Sequence, residues 1–182
     1  YFVIGDIYAR TERPEEARDT FAQALRIYPR GALRADLLFG AAVATFALGG
    51  NEEVIRLLES FVEEFGTSPN LENAHYFLAY AHLQETDFAE AADWFGRLGS
   101  RWPHSEVAAE AWFQRGENLF NLGRFGDAAI AYRTVLDGYT SSEFVDNSSY
   151  NLGWCHFETQ RPEDAIVQFQ GLLRDFPDSP LA

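Results

Sequence analysis

The residues with chemistry to offer are four histidines, one cysteine and the scattered carboxylates, and their spacing decides what they can do. His75 and His82 are seven residues apart. On a helix that puts them on one face, but two turns apart, with no carboxylate between them at ligand spacing, so the pair does not read as a metal site. Cys155 and His156 are adjacent, so on a helix their side chains diverge by about 100° and cannot act as nucleophile and base. Cys155 reads instead as a semi-buried filler. A single cysteine makes neither an internal disulfide nor a cysteine-based zinc site. The chain has no glycine-rich phosphate loop, no Gly-x-Ser-x-Gly elbow and no paired carboxylates in a candidate cleft. The expectation is no catalytic residue, no metal and no cofactor. Asn147-Ser148-Ser149 fits a glycosylation sequon but falls on an expected helix.

Composition narrows the field further. The 182 residues carry 14 basic and 28 acidic side chains for a net charge of −14, and every basic residue is arginine. A chain 47% hydrophobic and 15% aromatic is too apolar to be disordered. Its acidity argues against nucleic acid or anionic lipid as a partner. The longest nearly uncharged run, Leu37 to Gly50, is shorter than the roughly 18–20 residues a spanning helix needs, so no membrane insertion is expected.

A repeat supplies the elements. Gly5, Ala42, Ala79, Gly116 and Gly153 are each 37 residues apart. Twelve residues on stand Ala17, Val54, Ala91, Ala128 and Ala165. Sixteen on stand Phe21, Leu58, Phe95, Tyr132 and Phe169. Twenty-three on stand Tyr28, Phe65, Trp102, Tyr139 and Phe176, aromatic in every copy. No gap is needed over five copies, with units 1–34, 35–71, 72–108, 109–145 and 146–182.

Each unit reads as two helices. In the fourth, Trp112, Gly116, Leu119 and Phe120 recur at helical spacing until Leu122-Gly123 stops the run, and a second helix follows from about Phe125 to Tyr139. Pro14 and Pro162 suit the first turn of a second helix, where a missing N–H costs nothing. Ser68, Ser105, Ser142 and Ser179 read as N-caps, with each first helix starting at the next residue. The small column is expected to let two helices approach closely against the Ala17–Ala165 column. One hairpin cannot bury its own apolar face, so the units must stack into a curved all-α solenoid.

These residues resemble the tetratricopeptide repeat. The stretch from Ala109 through Trp112, Gly116, Leu119, Leu122-Gly123, Phe125, Ala128 and Tyr132 is similar to the family pattern almost position for position. The resemblance implies a right-handed α-solenoid of five helix-turn-helix repeats. The period exceeds the family's usual 34 by three residues, which are expected to lengthen the first helix. Val54 and Gly66 depart from the pattern and suggest looser pairing in the second unit. Endings such as Trp102-Pro103-His104-Ser105 are similar to repeats in bacterial cell-envelope proteins, namely the Tol–Pal-associated periplasmic protein and the lipoprotein that assists β-barrel assembly. That implies a bacterial periplasm or cell envelope. The chain is expected to be a window cut from a longer array, with open repeat ends through which it can self-associate.

The resemblance also implies a site. The family's groove is lined by first helices, which here supply Phe39, Tyr76, Phe113 and Tyr150 three residues before the small column. One residue after it stand Tyr80, Glu117 and Trp154, and four after it Phe120 and Phe157. The Phe positions are expected to pack mainly between neighbouring helices, while Tyr80 and Trp154 face solvent. Some relatives clamp a C-terminal carboxylate with Lys and Arg. This chain has no Lys, and its groove columns hold Arg10 as their sole basic residue, with Asp36, Glu110, Glu117 and Glu158 in or beside them. The expected partner is a protein or peptide, its bound segment apolar or basic. The reading is a non-enzymatic interaction scaffold; the alternatives are a spacer or oligomerisation arm, or the regulatory arm of an enzyme beyond this segment.

Overall fold

In the computed structural model, which describes residues 1–181, the described residues form ten helices and no strand. They fall into two compact units. Unit 1, Tyr1–Asp87, holds α1 (Phe2–Arg10), α2 (Pro14–Ile27), α3 (Arg34–Ala47), α4 (Asn51–Glu64) and α5 (Leu71–Gln84). Unit 2, Phe88–Ala182, holds α6 (Phe88–Arg101), α7 (Ala108–Asn121), α8 (Phe125–Gly138), α9 (Val145–Glu158) and α10 (Pro162–Asp175). Within each unit every helix packs on the next one in sequence. The starts of α2, α4, α6, α8 and α10 step by 37 residues, as do those of α3, α5, α7 and α9.

The turn between the two helices of each pair is built the same way five times. Residues 12, 49, 86, 123 and 160 all have φ between 58° and 74°. The N–H one position later reaches back to a carbonyl five residues earlier, as in Gly50 to Thr45 (3.1 Å), Asp87 to His82 (2.9 Å) and Arg124 to Leu119 (2.9 Å). That bond satisfies a carbonyl the ending helix leaves orphaned. Gly49 and Gly123 adopt this conformation freely, whereas Glu12, Thr86 and Gln160 hold it against the clash of their own Cβ. Thr86, being β-branched, is the most strained. Thr86→Gly should therefore raise stability, by roughly 0.5–1 kcal/mol once glycine's extra unfolded-state entropy is subtracted. A shift of the urea midpoint upward checks it, and an unchanged or lower midpoint would refute it.

Three expectations need correcting. The serines are not N-caps of the first helices: α5, α7 and α9 start three residues after Ser68, Ser105 and Ser142. Each Oγ instead accepts from the N–H two residues on, at 3.2 Å, and the serine carbonyl accepts from the first helical N–H, as in Leu71 to Ser68 (3.1 Å). The serine heads a turn, which its hydroxyl stabilises by competing for local N–H groups. Accordingly those residues extend the turn, not the helix; α3 to α10 are all 14 residues long.

The small column faces a different partner from the one expected. A Cβ on Gly5, Gly116 or Gly153 would lie 2.5–2.6 Å from a ring carbon of Phe21, Tyr132 or Phe169, so aromatic rings occupy the space the glycines vacate. Helical side chains lean toward the N-terminus, which carries the ring from position 16 rather than the alanine from position 12 over the small residue. In the second pair Val54, Leu58 and Phe61 are fully buried.

Candidate functional site

The candidate groove residues divide between the two units. In unit 1, Phe39 on α3 sits inward, its ring 5.8 Å from Phe61 and 6.2 Å from Phe77. Phe46 closes on the same Phe77 ring at 5.1 Å. Tyr76 and Tyr80, one turn apart on α5, pair at 4.7 Å and are both half-buried. Phe77 was not a sequence candidate, although it joins these rings. Its equivalents are Val3, Gly40, Gln114 and Asn151, so no recurrent aromatic column points to it.

In unit 2, Phe113 stacks on Phe144 at 5.1 Å and lies 6.0 Å from Tyr132. Phe120 meets Phe125 edge-on at 4.9 Å. Phe113 and Phe120 both pack against the buried cluster of Leu119, Ala128, Tyr132, Leu152 and Cys155. Their area is thus largely taken up by the fold itself.

Glu117 is tied into the structure rather than left free. One oxygen, Oε1, accepts from the Tyr132 hydroxyl at 2.5 Å and from Asn151 Nδ2 at 2.6 Å, linking α7, α8 and α9. Burial and the neighbouring Glu117 carboxylate push the Tyr132 phenol well above its usual range, so it stays a neutral donor. Sequence reasoning took Glu117 as a groove acid and missed Tyr132 and Asn151. A signal existed: Tyr132 is the lone tyrosine in a column of Phe and Leu, and a hydroxyl in a core position needs a partner.

The open part of the site lies on α9. Trp154 is 38% exposed and Phe157 53% exposed, with ring centres 5.8 Å apart. Tyr150 lies 6.2 Å from Trp154, and Phe169 of α10 supports both at 5.7 and 5.9 Å. These rings contact each other edge-on or tilted, which leaves faces free.

The groups considered for chemistry are placed as follows. His75 is buried and its Nδ1 pairs with the Leu71 carbonyl at 2.8 Å. His82 is also buried, its Nδ1 3.5 Å from Asp87. Cys155 is fully buried rather than semi-buried, because its position faces the core cluster. Among the described residues no cluster of three His, Cys, Asp or Glu side chains could hold a metal ion, and no helix is long and apolar enough to cross a membrane.

Paired helices at constant spacing, with aromatic side chains on the first helix of successive pairs, define a helical-repeat protein of the solenoid class. The chain belongs to the tetratricopeptide-repeat family: one form of the repeat matches residues 100–143 and 113–180, another residues 1–30, together more than half of the chain. Solved structures share the fold. MamA is 19% identical with a TM-score of 0.72, covering 94% of this chain and 93% of MamA. A MamA segment from Desulfovibrio magneticus RS-1 is 17% identical with a TM-score of 0.69, covering 97% and 94%. YrrB, described as a TPR protein with an unusual peptide-binding site, is 19% identical with a TM-score of 0.74, covering 100% and 87%. No curated protein matches the chain by sequence.

Proposed function

We propose that this chain is a non-enzymatic interaction scaffold that holds a partner peptide or helix against the aromatic faces of its first helices. The observation that carries the reading is the Tyr150–Trp154–Phe157 face of α9, where two large rings stand side by side in water. Rigid aromatic rings give contact area at low entropic cost, which is why they dominate binding hot spots. Tyr76 and Tyr80 form the corresponding pair on α5. The peptide-binding site of YrrB, on the same fold, supports this use of the scaffold. Net charge of −14 favours a partner segment that is apolar or basic. The reading includes five units of 37 residues, which the constant helix spacing supports, and a bacterial cell-envelope setting, which rests on the sequence resemblance.

The test is selection of peptides from a random displayed library on the wild-type chain, then on the Tyr80→Ala/Trp154→Ala double variant. Selected peptides should be apolar or basic and should lose at least about tenfold in affinity, a typical cost for an aromatic hot spot, while helicity and melting stay nearly unchanged. If the double variant keeps every peptide, or unfolds, the site assignment fails.

A second reading, an oligomerisation arm, draws on α1 and α10. Val3, Ile4 and Ile7 of α1, and Ile166, Val167 and Leu173 of α10, are each more than half exposed. Concentration-dependent mass that persists in the Tyr80→Ala/Trp154→Ala variant would favour it.

A further inference from the structure

On the side of α9 away from Trp154, unit 2 contains a cavity of about 770 Å³. His156 follows Trp154 by two positions and so points roughly 200° around the helix. Its imidazole lines the cavity, is only 7% exposed, and makes no side-chain hydrogen bond among the described residues. Arg133 of α8 and Arg161 of the turn before α10 line the same space. Arg133 has no ion-pair partner among the described residues; Arg161 Nε donates to Asp164 at 2.6 Å. Thr134 and Thr159 also line it, but each hydroxyl donates to a carbonyl of its own helix, Ile130 at 2.9 Å and Cys155 at 2.7 Å. The side-chain donors of the lining with no partner among the described residues are therefore the Arg133 guanidinium and the imidazole, with the Arg161 guanidinium shared with Asp164. Asp137 is the carboxylate in the lining, and Ala129 with the largely exposed Ile130 forms an apolar wall.

Arg161 is balanced by Asp164 and Asp137 also lines the space, so Arg133, which has no ion-pair partner among the described residues, is the cation most available to an incoming anion. Carboxylates farther than about 8 Å are screened at physiological salt. An anion that accepts from the imidazole N–H and pairs with Arg133 makes charge-assisted hydrogen bonds, which are stronger than neutral ones. The volume falls within the roughly 300–1,000 Å³ typical of small-molecule sites.

We propose that this cavity binds a small organic anion, a carboxylate or phosphate on an apolar body. The anionic oxygens lie between Arg133 and Arg161 above His156, and the apolar body lies along Ala129 and Ile130. The site is independent of the α9 aromatic face. Burial, and then Arg161 and Arg133 against the opposing pull of Asp164, hold the His156 imidazole below its usual range, so a bound anion raises it again.

The experiment is a titration of the whole chain, with ring-labelled histidines, followed by NMR. The probes are isovalerate, inorganic phosphate and, at matched ionic strength, chloride. His156 should shift saturably with isovalerate and its apparent pKa should rise, while the exposed His104 stays still. Isovalerate should bind more tightly than phosphate if the apolar wall is used; the reverse order would assign the site to phosphate alone and overturn the organic-anion class. Arg133→Gln, an exposed change, should weaken binding about tenfold or more, the scale of a lost charge-assisted hydrogen bond. Trp154→Ala should leave it unchanged. No saturation below about 100 mM, a shift matched by chloride, or full binding by both Arg133→Gln and Arg161→Gln would overturn the proposal.

Discussion

Tyr132→Ala should destabilise unit 2 by about 3–5 kcal/mol, the range for truncating a large ring in a packed core. The side chain is fully buried, and its ring fills the space over Gly116, with Cε1 2.5 Å from where a Cβ would stand. No neighbouring backbone can move into the void, because Leu119, Ala128, Leu152 and Cys155 already pack around it. The truncation also removes one of the two donors to Glu117 Oε1, leaving a half-buried carboxylate with Asn151 alone. Tyr132→Phe separates the two contributions. It keeps the ring and loses only the hydroxyl, and should cost about 1–3 kcal/mol, the penalty for leaving a buried polar group short of a partner. Urea denaturation followed by circular dichroism measures both. A loss under about 1 kcal/mol for Tyr132→Ala would show that unit 2 does not depend on this ring.

What could be read from the sequence was what recurs. The glycines and alanines of the small column stood out because each copy needs close approach at the same place. The ring that fills each glycine gap belonged to a column already visible, but choosing it over the alanine column required the lean of helical side chains. The serines were legible as boundary residues, yet a hydroxyl accepting from an N–H two residues on looks the same in sequence whether it heads a turn or caps a helix. The left-handed turn was legible at Gly123 and hidden at Glu12, Thr86 and Gln160, where nothing in the residue type announces it. Features present in a single copy were the least accessible. Glu117, Tyr132 and Asn151 are separated by 15 and 34 residues and have no counterpart in other repeats, so neither period nor pattern joins them. The cavity beside His156 depends in the same way on Arg133, the lone arginine of its column, whereas Arg161 shares its column with Arg13 and Arg124.

Cys155 makes the separation of core from binding face measurable. Burial, reinforced by the Glu117 carboxylate, pushes its thiol up to about 12. Against about 8.5 for a free thiol, that cuts the thiolate fraction near neutral pH by roughly three decades, and the thiolate is the nucleophile. Full burial adds a steric barrier, so modification has to wait for α9 to open. Native chain should therefore react with iodoacetamide at least about a thousandfold more slowly than urea-unfolded chain. Where opening is fast compared with alkylation, the rate follows the opening free energy at about 1.4 kcal/mol per decade. Tyr132→Ala should then raise the rate by about two to three and a half decades. Trp154 precedes Cys155 by one residue but points about 100° away and is 38% exposed, so Trp154→Ala should change the rate less than about threefold. Rapid alkylation of the native chain would mean that the α7–α8–α9 core is open in solution. A large acceleration by Trp154→Ala would mean instead that this ring stabilises α9, and its exposed face would no longer be available as a docking surface that the fold does not need.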